Sequence, residues 1–366
     1  MGIIIRATTA PGIEDVAYEE GSLLLRRAGF GPAAVSEAAA ALGLPGVVVW
    51  ELEPKAAVEE VRATDPLRRA RSLFHVAVHV AEIEWDGTSL MSLLEGVARI
   101  ELAEMRDTES FRVSCSRVGT HDFQSPDVER EWGSILQERY ATAVDLEGYA
   151  LHVKADIVGA RAFCGYQLTG RKGLDRRYPW VYHPRVTLRT PIAYAMLVIA
   201  GYADRPQALH DPFCGSGTIL LEAAGVASER GLRLPPLSGG DRDLRAVEGA
   251  RLNLKAAGVP GVDVRQIDAR ELAATLPPRS LSFIVTNPPF GIRLAKGLNL
   301  FSLYDGLLDS AGRVLKPRGV LALLVGRRRG VFNKVLRGHP QFALEHVRII
   351  EMGGVYAALY LLRRSS

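Results

Sequence analysis

The second half of the chain alternates short apolar runs with longer amphipathic segments, and this alternation constrains the fold more than any other feature. We predict strands at 208–210, 262–266, 282–286 and 319–325, and helices at 218–230, 244–257 and 301–315. Strands separated by helices cannot pair through tight turns, so they form a mostly parallel sheet with helices on both faces. Thr190 is predicted as the N-cap, and Pro191 as the first residue, of a helix that opens this α/β domain.

The first half of the chain predicts two smaller α+β units. Strands are expected at 3–7 and 47–52, with a helix around Val16, Leu23 and Leu24 between them and an apolar run at 72–83. Further along, the pattern predicts helices at 89–104 and 127–140 and strands at 111–115 and 149–157. Residues 170–187 are rich in Arg, Pro, Tyr and Trp without a regular period, which is typical of a linker.

Composition limits the class of protein. The 366 residues exceed one typical domain, and 48% hydrophobic with 23% charged residues is ordinary for a globular protein. Cys115, Cys164 and Cys214 form no CxxC or Cys/His pattern, so neither a disulfide framework nor a metal site is expected, and a reducing cytoplasm is the expected location. Neither a signal peptide nor a membrane-spanning stretch is predicted.

The charge distribution is more informative than the net charge. A formal charge of +4 permits nucleic-acid binding without requiring it. Lys and Arg concentrate at 171–177, at 327–329 and at 363–364. Each cluster could equally be a solvated surface, so charge alone does not identify a partner.

The strongest local signal is the segment 211–218, with the sequence DPFCGSGT, between a predicted strand and a predicted helix. Gly215 and Gly217 allow a tight turn whose backbone approaches a ligand closely. A dinucleotide-binding fingerprint would have its third glycine at position 220, where this chain has Leu220, so a pyrophosphate site is disfavoured. The carboxylate before the turn, Asp211, suits a cofactor with a positively charged amino group, such as S-adenosylmethionine.

Two more aspartates occupy corresponding positions after the next two strands. We predict that Asp241 accepts hydrogen bonds from ribose hydroxyls and that Asp268 accepts one from the adenine amino group. Each aspartate could instead cap a helix or turn. The strand before Asp241 is the least regular element, because we build it from 234–238, and Pro235 and Pro236 suit a central strand poorly.

A proline-rich loop with the sequence NPPFG, residues 287–291, follows the predicted strand at 282–286. Prolines restrict φ and donate no amide hydrogen, so the loop is stiff and presents oxygens. If the Asn287 side-chain oxygen and the Pro288 carbonyl accept the hydrogens of a base amino group, its nitrogen lone pair can point at a methyl donor.

Phe290 would stack on that base, so catalysis by positioning is predicted and no strong general base is needed. The alternative is a proline-rich turn around a buried aromatic. Three other candidates for catalysis are expected to be structural: His210, Tyr304 and Tyr356.

These motifs together resemble the THUMP-domain RNA guanine-N2-methyltransferases, most closely the tRNA enzymes that act on the sixth nucleotide of the acceptor stem. The resemblance covers nearly the whole chain. Besides the two motifs above, it is carried by residues 9–14 (TAPGIE), 111–113 (FRV), Arg117, 119–121 (GTH) and 188–193 (LRTPIA). The family often has Pro where Thr190 stands and Tyr where Phe290 stands; the second difference keeps the stacking face.

The resemblance implies a domain order, a cofactor and a substrate. Residues 1–65 would be a ferredoxin-like domain, 66–170 a THUMP domain that binds the tRNA 3′ end, 171–190 a linker and 191–366 a Rossmann-like methyltransferase domain. The cofactor would be S-adenosylmethionine and the substrate tRNA. A monomer without metal or membrane is expected.

The resemblance also implies the site residues. The expected cofactor contacts are Asp211, Phe213, Gly215, Ser216, Gly217, Asp241, Asp268 and Asn287. Asn287, Pro288 and Phe290 are expected at the target base, which must flip out of its helix to reach them. The candidates for RNA phosphates are Arg112, Arg117, Arg171, Lys172, Arg176 and Arg177, with Tyr178 and Trp180 as stacking surfaces.

Three alternatives remain open at this stage. A ribosomal-RNA guanine-N2-methyltransferase shares the domain order, and no feature of the sequence excludes it. A DNA adenine-N6 methyltransferase uses the same loop but would not need the two N-terminal domains. A non-catalytic RNA-binding scaffold is disfavoured by the presence of Asp211, Asn287 and Phe290.

Overall fold

The computed structural model describes residues 3–30, 32–33, 44–52, 66–184, 187–290 and 299–366. Gly291 of the predicted loop, and residues 53–65 of the predicted first domain, lie outside the described residues. The chain divides into two compact units. One comprises Met1–Thr9 with Ala17–Leu174, and the other Ala10–Val16 with Asp175–Ser366.

The first unit is built on a mixed sheet. Its strands are β1 (Ile3–Thr8), β2 (Pro32–Ala33), β3 (Val47–Leu52), β4 (His75–Glu84), β5 (Ser110–Val118), β6 (Ala143–Val144), β7 (Leu151–Val158) and β8 (Arg161–Gln167). They are ordered β2-β3-β1-β4-β8-β7-β5-β6. The helices of this part of the chain are α1 (Glu14–Arg27), α2 (Leu90–Val97) and α3 (Ser125–Tyr140), with short 3-10 turns at Pro66–Arg69 and Ala103–Met105.

Alternating apolar residues fix which face of this sheet is buried. In β7, Leu151, Val153, Ala155 and Ile157 are all buried, and they share one face because strand side chains alternate. Trp132 of α3 packs in the same core. Strand β8 was not predicted, because its run of buried residues shows no alternation. Since β1 pairs with β4, the predicted domains 1–65 and 66–170 share one sheet, and the boundary between them stays a prediction.

The second unit is the predicted α/β domain. Its strands are β9 (Leu209–Asp211), β10 (Leu237–Asp241), β11 (Asp263–Gln266), β12 (Leu281–Thr286), β13 (Leu315–Val325), β14 (Phe342–Glu351) and β15 (Tyr356–Arg364). Its helices are α4 (Thr190–Ile199), α5 (Thr218–Glu229), α6 (Leu244–Ala256), α7 (Leu272–Thr275), α8 (Leu300–Val314) and α9 (Arg329–Leu336), with 3-10 turns at Leu174–Arg176 and Ala269–Glu271.

The strand order of this unit places its ligand site. The order is β11-β10-β9-β12-β13-β15-β14. Strands β9 to β13 run parallel, whereas β15 is antiparallel to both of its neighbours. Strands β10 and β11 follow on one side of β9, and β12 then pairs with the other side of β9. In open sheets of this kind, ligands bind at the carboxyl ends of the strands around such a switch point.

Several sequence predictions need correction. Strand β10 begins at Leu237, after the two prolines, so our placement at 234–238 was wrong and the objection to a central strand disappears. The N-cap of α4 is Arg189; Thr190 is already helical, and its hydroxyl donates to the Asp175 carbonyl at 2.9 Å. The helix predicted at 89–104 ends at Val97.

Within the second unit, the segment before α4 is hydrogen-bonded to Asn253 of α6, a residue that is 1% exposed. Its Oδ1 accepts from the amides of Val181 (2.9 Å) and Tyr182 (2.8 Å), while Nδ2 donates to the carbonyls of Tyr182 (2.9 Å) and Ser216 (3.0 Å). The same side chain therefore ties the predicted linker to the glycine turn.

Replacing Asn253 with leucine is expected to lower the free energy of unfolding by about 2–4 kcal/mol, because its four hydrogen bonds to backbone groups are lost. Urea denaturation followed by circular dichroism measures the change. Lys255→Leu, at an exposed position on the same helix, is the control and should change stability by less than about 0.5 kcal/mol. Equal stabilities for the two variants would contradict the assignment.

No helix among the described residues is both long and apolar enough to span a membrane. No three His, Cys, Asp or Glu side chains within these ranges gather as they would around a metal ion.

Candidate active site

The glycine turn is held at the carboxyl end of β9 by contacts with β10. Gly215 and Gly217 have φ values of 51° and 84°, a region that favours glycine. The Gly215 amide donates to Asp241 Oδ2 at 3.2 Å, and the Cys214 amide donates to the Gly240 carbonyl at 2.9 Å. Helix α5 starts directly after this turn, which leaves the turn backbone facing the strand ends.

Asp211 ends β9 and is 1% exposed. Its Oδ1 accepts from the Thr286 hydroxyl at 2.6 Å and from the Phe213 amide at 3.1 Å. No donor among the described residues is within hydrogen-bond distance of Oδ2. Burial raises the pKa of Asp211 to about 7, and the bonds from Thr286 and Phe213 offset only part of that rise. The carboxylate is therefore costly to ionise alone and suited to a cationic partner.

Asp241 ends the neighbouring strand β10. Its Oδ1 accepts from the Asp243 amide at 2.9 Å and its Oδ2 from the Gly215 amide. Burial raises the pKa of Asp241 from its ordinary value. Helix α6 is capped by Asp243, whose side chain accepts from the Arg245 amide. Asp243 thus caps the helix, while Asp241 caps the turn before it and also holds the glycine turn.

Asp268 follows β11, and its contacts are compatible with both of its predicted roles, capping a turn and accepting a hydrogen bond from the adenine amino group. Its side chain caps the next 3-10 turn by accepting from the Arg270 amide at 2.9 Å. The Arg270 guanidinium also donates to it, from Nε at 3.0 Å and from Nη2 at 2.6 Å, and this contact lowers the pKa of Asp268. Gly306 of α8 leaves room for the Arg270 stem. Asp268 is thus held ionised and oriented.

A cavity of about 70 Å³ lies beside Asp268 and the glycine turn. It is lined by Pro212, Phe213, Arg242, Ile267, Asp268, Ala269, Arg270, Asn299 and Leu303. Apolar walls with a carboxylate at one side suit a planar heterocycle with an amino group. The cavity therefore brings the predicted cofactor residues Phe213 and Asp268 together.

The proline-rich loop leaves the carboxyl end of β12, next to β9. Asn287 Oδ1 is buried and has no hydrogen-bond partner among the described residues. A buried oxygen without a hydrogen-bond donor destabilises the folded state, so Asn287 Oδ1 is a candidate to accept a hydrogen bond from a ligand. Pro288 is buried, and the ring of Phe290 lies against Gly326 at the end of β13. Thr286 links the loop to Asp211 through its hydroxyl.

The predicted RNA-binding residues of the first unit lie on β5 and near the end of β8. Arg112 donates to the Leu146 carbonyl at 3.2 Å, and Arg117 donates to Gln124 at 3.0 Å and contacts His121. Arg171 and Lys172 are exposed. In the second unit, Arg176 is exposed and Arg177 lies 3.7 Å from the buried carboxylate of Glu222. The assignment of all six residues to RNA stays a prediction.

The candidates expected to be structural divide into two groups. His210 and Tyr304 are buried at 0% and 1% exposure. Tyr356, in contrast, is 62% exposed. Sequence reasoning missed Thr286, Arg270 and Gly326, although Thr286 directly precedes Asn287 and Arg270 stands at capping distance from Asp268. No local signal pointed to Gly326, because its contact with Phe290 depends on strand pairing.

The chain is similar to known methyltransferases in sequence and in fold. A family model described as an RMKL-like methyltransferase domain matches residues 181–358. The tRNA (guanine(6)-N2)-methyltransferase of Thermus thermophilus is 35% identical, over 98% of this chain and 99% of that protein. The crystal structure of TrmN from Thermus thermophilus is similar over 99% of each chain, with a TM-score of 0.73 and 32% identity.

A further solved structure, that of SMU.472 in complex with SAH, covers 98% of this chain and 97% of that one, with a TM-score of 0.73. At 18% identity it shows the fold alone. The full-length match to the Thermus protein shows more. This chain belongs to the RNA guanine-N2-methyltransferase family and is an S-adenosylmethionine-dependent methyltransferase.

Proposed function

We propose that this enzyme methylates N2 of a guanine in tRNA, at the sixth nucleotide of the acceptor stem. The observation that carries the proposal is the buried, unpartnered Oδ1 of Asn287 at the strand end beside Asp211. Support for the substrate comes from the Thermus relative, whose name gives this position and which the chain matches from end to end.

The cofactor residues are proposed to act in three places. Asp211 Oδ2, which accepts from no donor in the described ranges, would bind the cofactor's amino group. Asp241 would accept hydrogen bonds from the ribose hydroxyls, and Asp268 one from the adenine amino group within the adjoining cavity. Gly215, Ser216 and Gly217 would provide the close backbone approach. When bound, S-adenosylmethionine supplies an electrophilic methyl group.

The proline-rich loop would position the amine that is methylated. Its nitrogen lone pair is delocalised into the ring, and two acceptors, Asn287 Oδ1 and the Pro288 carbonyl, would hold the two hydrogens so that the lone pair points at the methyl carbon. Phe290 would stack on the flipped base. After transfer the extra proton leaves to solvent, so no residue of the loop has to act as a strong base.

Replacing Gly326 with alanine is expected to lower kcat by about 10- to 100-fold, since small displacements of a positioning group are costly. The new Cβ would lie 2.7 Å from Phe290 Cγ, so the ring must move. Methylation of tRNA and cofactor binding are measured together, and the cofactor Kd should not change. Gly330→Ala is the control, because no atom lies within 4 Å of its added Cβ.

Labelled S-adenosylmethionine and unmodified tRNA transcripts test the proposed function directly. The product is mapped by nuclease digestion, with a transcript that carries adenine at position 6 as the matched control. Label at position 6 of the first transcript alone is the expected result. Label confined to ribosomal RNA, with tRNA inert, would favour the ribosomal alternative, and the absence of cofactor binding by calorimetry would favour a scaffold.

The N-terminal unit is proposed to bind the tRNA. Residues 1–65 would form its ferredoxin-like part and 66–170 a THUMP domain for the 3′ end. The proposed phosphate contacts in this unit are exposed Arg171 and Lys172 and half-buried Arg112 and Arg117. Exposed Arg176 and half-buried Arg177 of the second unit are proposed as two more. Arg112 and Arg177 have partners within the protein, because the Arg112 guanidinium packs on the Tyr149 ring and Arg177 lies 3.7 Å from the buried Glu222 carboxylate.

A further inference from the structure

Three consecutive arginines, Arg327, Arg328 and Arg329, follow Gly326 after β13, and the proposed chemistry gives their side chains no role. All three side chains are exposed. Within the described ranges, no carboxylate lies within ion-pair distance of any of them. Adjacent like charges repel each other, so the triplet does not stabilise the folded chain.

Strand register places this triplet beside the catalytic loop. Strands β12 and β13 are parallel, with Thr286 opposite Leu323, so Asn287 and Phe290 leave the sheet at the level where β13 ends. Gly326 packs against the Phe290 ring. Arg327 is the next residue, which puts the start of the triplet at the rim of the site.

An exposed aromatic side chain flanks the triplet on its other side. Strand β15 pairs antiparallel with β13, with Ala358 opposite Val325. The paired stretch ends at Val325 and Ala358, so Tyr356 and Arg327 both lie at this end of the two strands. Tyr356 is 62% exposed. Arginines interleaved with an exposed aromatic are typical of nucleic-acid binding surfaces.

We propose that Arg327, Arg328, Arg329 and Tyr356, here named the arginine edge, bind the RNA backbone on either side of the target nucleotide. The proposal rests on the proposed function of the neighbouring loop. A flipped base remains joined to its two flanking phosphates, so these phosphates must approach the rim of the pocket that holds the base. Guanidinium groups bind phosphates in a bidentate manner, and Tyr356 stacks on an adjoining unpaired base.

The test replaces all three arginines with glutamine in the full-length chain. Arg328 is the N-cap of α9 but makes no side-chain capping bond, so glutamine removes no cap. The matched control replaces Arg233, Arg279 and Arg318, which are equally exposed and lie toward the amino ends of β10, β12 and β13. Both variants lose three positive charges, toward opposite ends of the parallel strands.

For the arginine-edge variant, KM for tRNA is expected to rise by about tenfold or more, with kcat at saturating tRNA and the Kd of S-adenosylmethionine unchanged. The slope of log affinity for tRNA against log salt should fall by about 1 to 2, because fewer counterions are released. The control should retain the KM and the slope of the original protein. Tyr356→Ala should raise KM by about tenfold and leave the salt slope unchanged, since it removes stacking and no charge.

Two outcomes would overturn the inference: an unchanged KM and salt slope in the arginine-edge variant, or an equal loss in the control. These outcomes are distinct from failure of the proposed function. If the original protein does not methylate tRNA, the substrate assignment fails. If it does and the arginine-edge variant performs equally well, only the inference about Arg327, Arg328, Arg329 and Tyr356 fails.

Discussion

Asn287→Ala is expected to lower kcat for tRNA methylation by about 10²–10³-fold, the range seen when one group aimed at the reacting centre is removed. The expectation follows from the buried Oδ1, which no donor in the described part of the chain satisfies. Truncation would not disturb the protein's own hydrogen bonds to that atom, because it has none among the described residues. The lost contact is therefore to the substrate amine, and the Kd of the cofactor should change by less than about tenfold.

Single-turnover methylation and calorimetry with S-adenosylmethionine separate the two effects. Asn287→Asp is the informative companion, because it retains an acceptor oxygen at the same place and should be more active than the alanine variant. Near-normal turnover by Asn287→Ala would refute the catalytic role. A loss confined to cofactor affinity would instead assign Asn287 to the cofactor site alone.

Asp211→Asn is expected to weaken cofactor binding by about 10²-fold at pH 8, since a charge-assisted hydrogen bond to the amino group is lost. Asparagine can still accept from the Thr286 hydroxyl through its Oδ1, so the strand ends stay linked. Calorimetry with S-adenosylhomocysteine (SAH), which carries the same amino group, measures the Kd. Asp204→Asn, at a position 88% exposed, is the control. Unchanged affinity in Asp211→Asn would remove Asp211 from the cofactor site.

The same carboxylate predicts a pH dependence of cofactor binding. The pKa of Asp211 is about 7, so below that pH the carboxyl is protonated before the ligand binds. The Kd for SAH should then rise by about tenfold for each further unit of acidification. Above about pH 8 the Asp211 carboxylate is ionised, so the Kd should be independent of pH there for as long as the ligand's amino group stays protonated. The Asp211→Asn variant should lose the acidic limb of this profile.

The free energy of unfolding provides an independent test of the Asp211 pKa, because the contribution of Asp211 to it falls with rising pH whereas the cofactor affinity rises. Because the folded pKa lies above the ordinary value of 3.8, Asp211 favours folding when protonated, and that contribution is lost as pH rises from about 4 through about 7. The free energy of unfolding of Asp211→Asn should therefore equal or exceed that of the original chain at pH 8. A variant that binds cofactor poorly yet unfolds no more easily would separate binding from folding.

Much of the second unit could be predicted from local pattern. The helices at 218–230 and 244–257 end within one residue of their predicted ends, because an apolar stripe of helical period is a local property. Strand β10 was misplaced for an equally local reason. Its residues, LSGGD, have low strand propensity, and they pair because β9 and β11 lie on both sides of them.

The last two strands escaped prediction because their burial does not alternate. In β14 most side chains are exposed, including Leu344, Val347 and Ile349. Strand β15 is instead buried almost throughout. Neither pattern has a period of two, so sheet pairing rather than patterning decides the conformation. The position of Tyr356 on the surface follows from this pairing and could not be read locally.

By itself the sequence determined the kinds of elements in the second unit, the placement of an acidic or amide residue at or after the end of each of the strands β9 to β12, and the chemistry that such residues favour. These are properties of neighbours along the chain. Only the tertiary structure decided that Thr286 occupies one oxygen of Asp211 and that Gly326 supports Phe290. Those contacts join residues distant in sequence, and their distances depend on strand order and register, which local preferences do not encode.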